Sequence, residues 1–325
     1  MRSARRLAPG FLSLLCALAL FGCTPRESTP PEQPATIVVG FSQLGSESGW
    51  RLGNTRSIID AAQNAGVELM FENAEQKQEN QIKAIRSFIA YQVDVIAFPP
   101  IVMDGWDTVL KEARDANIPV LLTDRMIHTE DSSLYAGFIG SDFKEEGRSA
   151  GEFLLTRTAG YDSVRIAEIR GTVDSAPALQ RSEGFYEVID GNPKFTIVES
   201  VSGDFMRTKG KECMEQILAD HRAIDVVYSH NDSMTYGAIE AIEEAGLRPG
   251  VDILIITVDG EQMAIDLLRE GKINCVVECT PMIGDMVMEL AKKLAAGEPI
   301  DKHTYSVETV FTEYDTLEGL PERGY

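Results

Sequence analysis

Apolar runs of strand length alternate along this chain with segments whose apolar positions recur every three or four residues. Thr36-Ile-Val-Val-Gly-Phe41, Val67-Glu-Leu-Met-Phe71, Val93-Asp-Val-Ile-Ala-Phe98 and Ile118-Pro-Val-Leu-Leu122 are runs of the first kind. Trp106, Val109, Leu110, Ala113 and Ala116 fall at helical intervals, which favours helix core for Trp106. Gly66 and Asn117 stand where helices are expected to stop. After Leu134 to Ser141 the cycle restarts, with strands predicted over 164–169, 195–201, 224–229, 253–258 and 274–278. Helical stripes run through Ala238, Ala241, Ile242 and Ala245, and through Ile283, Met286, Val287, Leu290 and Leu294. Strands that are apolar at consecutive positions belong to parallel sheets covered on both faces. A single core rarely grows to serve 325 residues, so the pattern predicts an α/β protein of two doubly wound parallel-sheet lobes.

The N-terminus departs from this pattern. Met1-Arg-Ser-Ala-Arg-Arg6 is basic, Phe11 to Phe21 is mostly apolar but short for a bilayer, and Leu20-Phe-Gly-Cys23 closes the run. That ending resembles a bacterial lipoprotein signal, which implies a leader over 1–22 and lipidation of Cys23. The alternative is a secreted protein whose cysteine is incidental. Residues 23–35, rich in proline and polar side chains, read as a flexible tether.

Apolar residues at 44% and charged residues at 25% are ordinary for a globular chain, so the remainder is expected to fold. The formal charge of the full sequence, −21, becomes more negative once Arg2, Arg5 and Arg6 leave with the leader. No basic stripe survives to follow a phosphate backbone, which excludes nucleic acid as a partner. Without Cys16 and a lipidated Cys23, the cysteines left are Cys213, Cys275 and Cys279, an odd set with no disulfide framework. Cys275 and Cys279, four apart in a strand, are too distant to bridge, and the thiols read as small buried hydrophobes. The scattered histidines and lack of Cys-x-x-Cys give no zinc pattern, and no metal or cofactor is expected.

Several strands end in residues a core does not want. Leu121-Leu-Thr-Asp-Arg125 ends in Asp124 and Arg125, Val227-Tyr-Ser-His-Asn-Asp232 in Asn231 and Asp232, and Ile255-Ile-Thr-Val-Asp259 in Asp259. Arg181 and Phe205 add a cation and an aromatic ring. Each taken singly is accounted for as a helix cap or surface ion pair, and Asp232 is read as a cap. Together, at the carboxyl ends of parallel strands where ligands bind, they suit a sugar. Hydroxyl groups pair with carboxylate, guanidinium and amide, and an aromatic face covers the apolar side of the ring.

The chain also resembles a known family. Phe41-Ser-Gln-Leu-Gly-Ser-Glu-Ser-Gly-Trp-Arg51, Gln76-Lys-Gln-Glu-Asn-Gln-Ile-Lys-Ala-Ile-Arg-Ser-Phe88, Thr123-Asp-Arg125, Gly171-Thr-Val173, Ser202-Gly-Asp-Phe205, His230-Asn-Asp232, Val258-Asp-Gly260 and Val277-Glu-Cys-Thr-Pro281 carry it. These resemble the galactofuranose-binding branch of the ribose-binding type of periplasmic solute receptors, which serve bacterial ABC transporters. The resemblance implies two lobes joined by three crossings, 36–141 with 280–309 and 142–279 with 310–325, closing on a monosaccharide. It implies that Asp124, Arg125, Arg181, Asn231 and Asp259 hold hydroxyls, and that Trp50 and Phe205 flank the ring. Glu47 and Glu278 complete the implied set, while Gln76, Gln78 and Gln81 are equally read as surface residues. Implied partners are the sugar, a transporter permease and a membrane reached only through the lipid anchor, with the receptor a monomer. Two other functions share the pattern: a receptor presenting its closed form to a chemoreceptor or sensor kinase, and a glycosidase using Asp124 and Asp259 as its carboxylates. The region Gly40 to Gly49 lacks both Gly-x-Gly-x-x-Gly and the phosphate-loop lysine, so nothing is built for a nucleotide.

Overall fold

The computed structural model describes residues 36–220 and 223–325, and the expectations for the leader, Cys23 and the tether lie outside them. In the first lobe β1 (Val38–Gln43), β2 (Glu68–Asn73), β3 (Val95–Phe98), β4 (Val120–Thr123) and β5 (Gly137–Gly140) alternate with α1 (Gly49–Ala65), α2 (Gln78–Tyr91) and α3 (Asp107–Asp115). The second lobe comprises α4 (Phe143–Arg157), β6 (Val164–Arg170), α5 (Ala176–Ile189), β7 (Phe195–Ser202), α6 (Arg207–Asp220), β8 (Val226–Ser229), α7 (Asp232–Glu244), β9 (Leu254–Asp259), α8 (Gln262–Arg269) and β10 (Cys275–Glu278). Then α9 (Gly284–Ala295) and β11 (His303–Tyr305) return to the first lobe, and β12 (Val310–Thr312) to the second.

Strand order is β11-β5-β4-β3-β1-β2 in one sheet and β12-β10-β9-β8-β6-β7 in the other. Every described pairing is parallel except β10 with β12. The consecutive apolar residues of the strands serve two cores at once. In β3, Val95 and Ala97 enter the core shared with α1 and α9, whereas Ile96 and Phe98 enter the one beneath α2 and α3. In β9, Ile255 faces one core and Leu254, Ile256 and Val258 the other. Side chains alternate across a strand, so a sheet covered by helices on both faces needs apolar residues at every position.

Helix ends follow the sequence signals. Ser48 caps α1 by accepting from the Arg51 N–H, and Gly66 ends it at φ +66°. Helix α3 begins at Asp107, and Trp106 just before it lies fully buried against Phe98 as core. Gln81 is no surface residue: it is fully buried, donating to the Ser42 and Pro99 carbonyls and accepting from the Ile101 N–H.

The chain passes between the sheets at 141–142, 279–283 and 306–309. One carboxylate oxygen ties the three crossings together. Glu308 Oε1 accepts from the Ser141 hydroxyl, from Ser306 Oγ at 2.9 Å and from the Thr280 N–H at 3.1 Å. In each sheet the strand order reverses beside the first strand of its lobe, β1 or β6, and the crevice that opens there at the carboxyl ends faces the other lobe.

Candidate functional site

Between the lobes lies a cavity, with about 290 Å³ of space unfilled by protein atoms when the solvent at its mouth is included. Glu47, Ser48, Trp50, Arg51, Asp124 and Arg125 line it from the first lobe. Phe143, Pro177, Arg181, Phe205, Asn231 and Asp259 line it from the second, and Cys279 lies at a crossing. Of the residues expected from the sequence, Glu278 alone is not brought to the cavity. Its carboxylate instead accepts from Arg323 Nη1 at 2.7 Å and from the Thr309 N–H at 2.9 Å. Strand alternation accounts for this: with the next residue, Cys279, at the cavity wall, residue 278 points elsewhere.

Guanidinium and carboxylate groups organise the walls. Arg51 donates through Nε to Glu47 at 3.1 Å and through Nη2 to Asp124 at 2.6 Å. Arg181 donates through Nε to Glu146 at 2.6 Å and through Nη1 to the His230 carbonyl at 2.5 Å, with Nη2 3.9 Å from Asp259. Arg125 reaches the Ile101 carbonyl at 3.2 Å, and across the gap its guanidinium lies 5.2 Å from the centre of the Phe205 ring. All three arginines are almost wholly buried.

Burial works against charge on each arginine, and the balance differs. At Arg51 the nearby Asp124 and Glu47 outweigh it and raise the pKa. At Arg181, Glu146, Cys279 and Asp259 do the same. At Arg125, burial and repulsion by Arg51 prevail and lower the pKa to about 10. Asp259 is pushed well above the carboxylate range by burial and by Asp232, against the pull of Arg181.

Four buried polar atoms of lining residues have no hydrogen-bond partner among the described residues: Glu47 Oε2, Arg51 Nη1, Arg125 Nε and Asp259 Oδ2. Two are acceptors and two are donors. A buried group left unpaired costs about 1–3 kcal/mol, so the set matches a ligand that donates and accepts in equal measure. Backbone strain gathers at the same place. Asp124, Phe205 and Asp259 have φ of +59°, +62° and +120°, each a conformation that costs of order 1–3 kcal/mol outside glycine. Gly171 makes room for one of them, because a Cβ there would lie 1.8 Å from Phe205 Cζ.

Asn231 lines the cavity and also caps α7, its Oδ1 accepting from the Met234 N–H at 2.9 Å while Nδ2 donates to the Phe205 carbonyl at 3.3 Å. The cap expected of Asp232 is therefore made by its neighbour. Asp232 is buried within α7, accepting from Thr257 Oγ1 and from the Gly260 and Glu261 N–H groups at 2.7–2.8 Å.

Glu146, Cys279 and Glu308 each offer an atom within 4.8 Å of the others. Burial raises the Glu146 pKa to about 8 despite Arg181, whose Nε lies 2.6 Å from its carboxylate. Cys213, Cys275 and Cys279 are free thiols, the last two buried.

The lobes are in contact at both rims. Trp50 N–H donates to Glu261 Oε1 at 2.9 Å, and the Met103 N–H to the Asp174 carbonyl at 3.0 Å. The Trp50 indole donates to the Cys279 carbonyl at 2.6 Å.

Comparison with known proteins agrees with this architecture. Residues 39–299 match the model of the periplasmic binding protein domain family. The galactofuranose-binding protein YtfQ of Escherichia coli K12 is 43% identical over 298 residues, 90% of this chain and 93% of that one. A Mycobacterium smegmatis structure in complex with β-D-fucofuranose is 48% identical with a TM-score of 0.84, over 86% of this chain and 92% of that one. The binding protein of the arabinose ABC transporter from Shewanella sp. ANA-3, bound to α- and β-L-arabinofuranose, is 45% identical with a TM-score of 0.82, over 85% and 92%.

Proposed function

We propose that this chain, which belongs to the periplasmic binding protein domain family, is the solute receptor of a sugar ABC transporter and closes its two lobes on one monosaccharide in furanose form. The observation that carries the reading is the balanced set of unpaired buried atoms, Glu47 Oε2, Arg51 Nη1, Arg125 Nε and Asp259 Oδ2, around one cavity between the lobes. Each hydroxyl of a neutral sugar both donates and accepts, so it can bridge a carboxylate and a guanidinium at once. Trp50, Phe143 and Phe205 supply the aromatic part of the lining, each with an arginine guanidinium over its ring.

Binding follows from the hinge. An open form takes the sugar on one lobe, and closure adds the second wall. The closed state gains only by the contacts it adds. A sugar of about a dozen heavy atoms bound at micromolar affinity needs roughly 0.7 kcal/mol per atom, below the ceiling of about 1.5. Hydrogen bonds supply this with no cofactor and no bond broken, so the role is binding and not catalysis. The galactofuranose, fucofuranose and arabinofuranose named for the relatives support a furanose ligand.

In this reading residues 1–22 are removed, Cys23 carries the lipid anchor outside the cytoplasm, and the monomeric receptor delivers its sugar to a membrane permease. Among the described residues no helix is long and apolar enough to cross a membrane. Calorimetry with D-galactose, D-fucose, L-arabinose and D-ribose, followed by ring-locked methyl furanosides and pyranosides of the binders, tests the proposal. Saturable one-to-one binding favouring furanosides is expected. No heat from any of them would remove it.

A further inference from the structure

Helix α1 opens at the cavity, and the other lobe completes its N-terminus. The first backbone N–H groups of a helix have no partner inside it. In α1 the Arg51 N–H is taken by Ser48 Oγ of the same lobe at 3.1 Å. The two before it are taken from across the gap: Gly49 N–H by Ser233 Oγ at 3.4 Å and Trp50 N–H by Glu261 Oε1 at 2.9 Å. Glu261 is itself held in place. Its other oxygen accepts from Tyr236 OH at 3.1 Å, and its N–H donates to Asp232 at 2.7 Å. The approach is close enough that a Cβ on Gly49 would lie 2.6 Å from Glu261 Oε1, so glycine at this position admits the carboxylate.

We propose that Glu261 is an interlobe latch: a positioning residue that caps α1 from the opposite lobe only when the cleft is closed, and so sets how long the sugar is held. This rests on the reading that the lobes close on a sugar. Glu261 is not among the cavity-lining residues, yet its bond falls on Trp50, which is, and next to Arg51. A carboxylate at a helix N-terminus combines a charge-assisted hydrogen bond with a favourable interaction with the helix dipole. Opening the cleft gives up both, and water replaces them.

The test is stopped-flow and calorimetric titration of the full chain with L-arabinose, comparing wild type, Glu261→Ala and Gly49→Ala. Both variants are expected to raise the dissociation rate and Kd together, by about tenfold, with the association rate within about twofold. Gly49→Ala leaves Glu261 intact but blocks its approach, so agreement between the two variants identifies the contact itself. A fluorophore pair placed across the lobes should report less complete closure at saturating sugar for both. An unchanged dissociation rate, or a loss confined to association, overturns the latch while the binding reading stands. If wild type takes up no L-arabinose, D-galactose, D-fucose or D-ribose, the binding reading falls first.

Discussion

Asp259→Asn separates the binding role of a carboxylate from any role in stability, because the two effects have opposite signs. The side chain is almost wholly buried, its Oδ2 has no partner among the described residues, and its nearest cation, Arg181 Nη2, is 3.9 Å from Oδ1. Burial and the neighbouring Asp232 push its pKa well above the carboxylate range, so the charge is a strain on the empty protein. Asparagine keeps the shape and tolerates the φ of +120° better than most residues. It replaces one acceptor oxygen by a donor, and a sugar hydroxyl that gave its proton to the carboxylate then meets an N–H. Leaving a buried partner unsatisfied costs about 1–3 kcal/mol, or roughly 5- to 150-fold in Kd. Calorimetry with L-arabinose should show that loss, while thermal unfolding of the sugar-free variant should occur at or above the wild-type temperature. A Kd within threefold of wild type would refute the reasoning about the site. Lower affinity accompanied by a clearly lower melting temperature would show that Asp259 supports the fold and not the ligand.

Three further outcomes follow from the same geometry. Glu278→Gln should leave sugar affinity within about twofold, because that carboxylate bonds Arg323 and Thr309 outside the cavity; a loss beyond tenfold in calorimetry would return it to the site. Gly171→Ala drives a methyl group into the Phe205 ring, so affinity should fall by more than about tenfold, checked by titration beside circular dichroism, and unchanged binding would mean the ring does not face the ligand. Glu168 is held to a pKa of about 2, below the ordinary 4.5, because hydrogen bonds from His230, Ser182 and Ser200 overcome its burial. A depressed carboxyl contributes its stability in full above pH about 4.5 and loses it as pH falls through 2, here roughly 3 kcal/mol. Urea unfolding at pH 7, 4.5 and 3 should show the wild-type advantage over Glu168→Gln shrinking with acid, and parallel curves would contradict it.

The fold class was legible because parallel sheets covered on both faces leave a plain trace: continuous apolar runs, separated by helical stripes and glycine stops such as Gly66. Asp124, Arg125, Asn231 and Asp259 were visible as polar residues at strand ends, where alternation and burial demand something apolar. Arg51 was not, because an arginine four residues after a glutamate reads as an exposed helical ion pair, and only the tertiary fold buries both against Asp124. Phe143 and Pro177 look like helix-start core residues, and only the tertiary fold brings them to the cavity wall. Glu278 was misleading for a related reason: its partner, Arg323, is 45 positions away and carries no local signal. Glu261 gives no sign in the sequence at all, since its role depends on a helix in the other lobe, 211 positions earlier.

The central claim is that Glu47, Arg51, Arg125 and Asp259 converge on a single sugar between the lobes. A crystal structure of the chain grown with a bound furanose tests it most directly. The account predicts one ring in the cavity, with hydroxyl oxygens within about 3 Å of Glu47 Oε2, Arg51 Nη1, Arg125 Nε and Asp259 Oδ2. A ring bound elsewhere, or one in this cavity that leaves those four atoms unpaired, would contradict it.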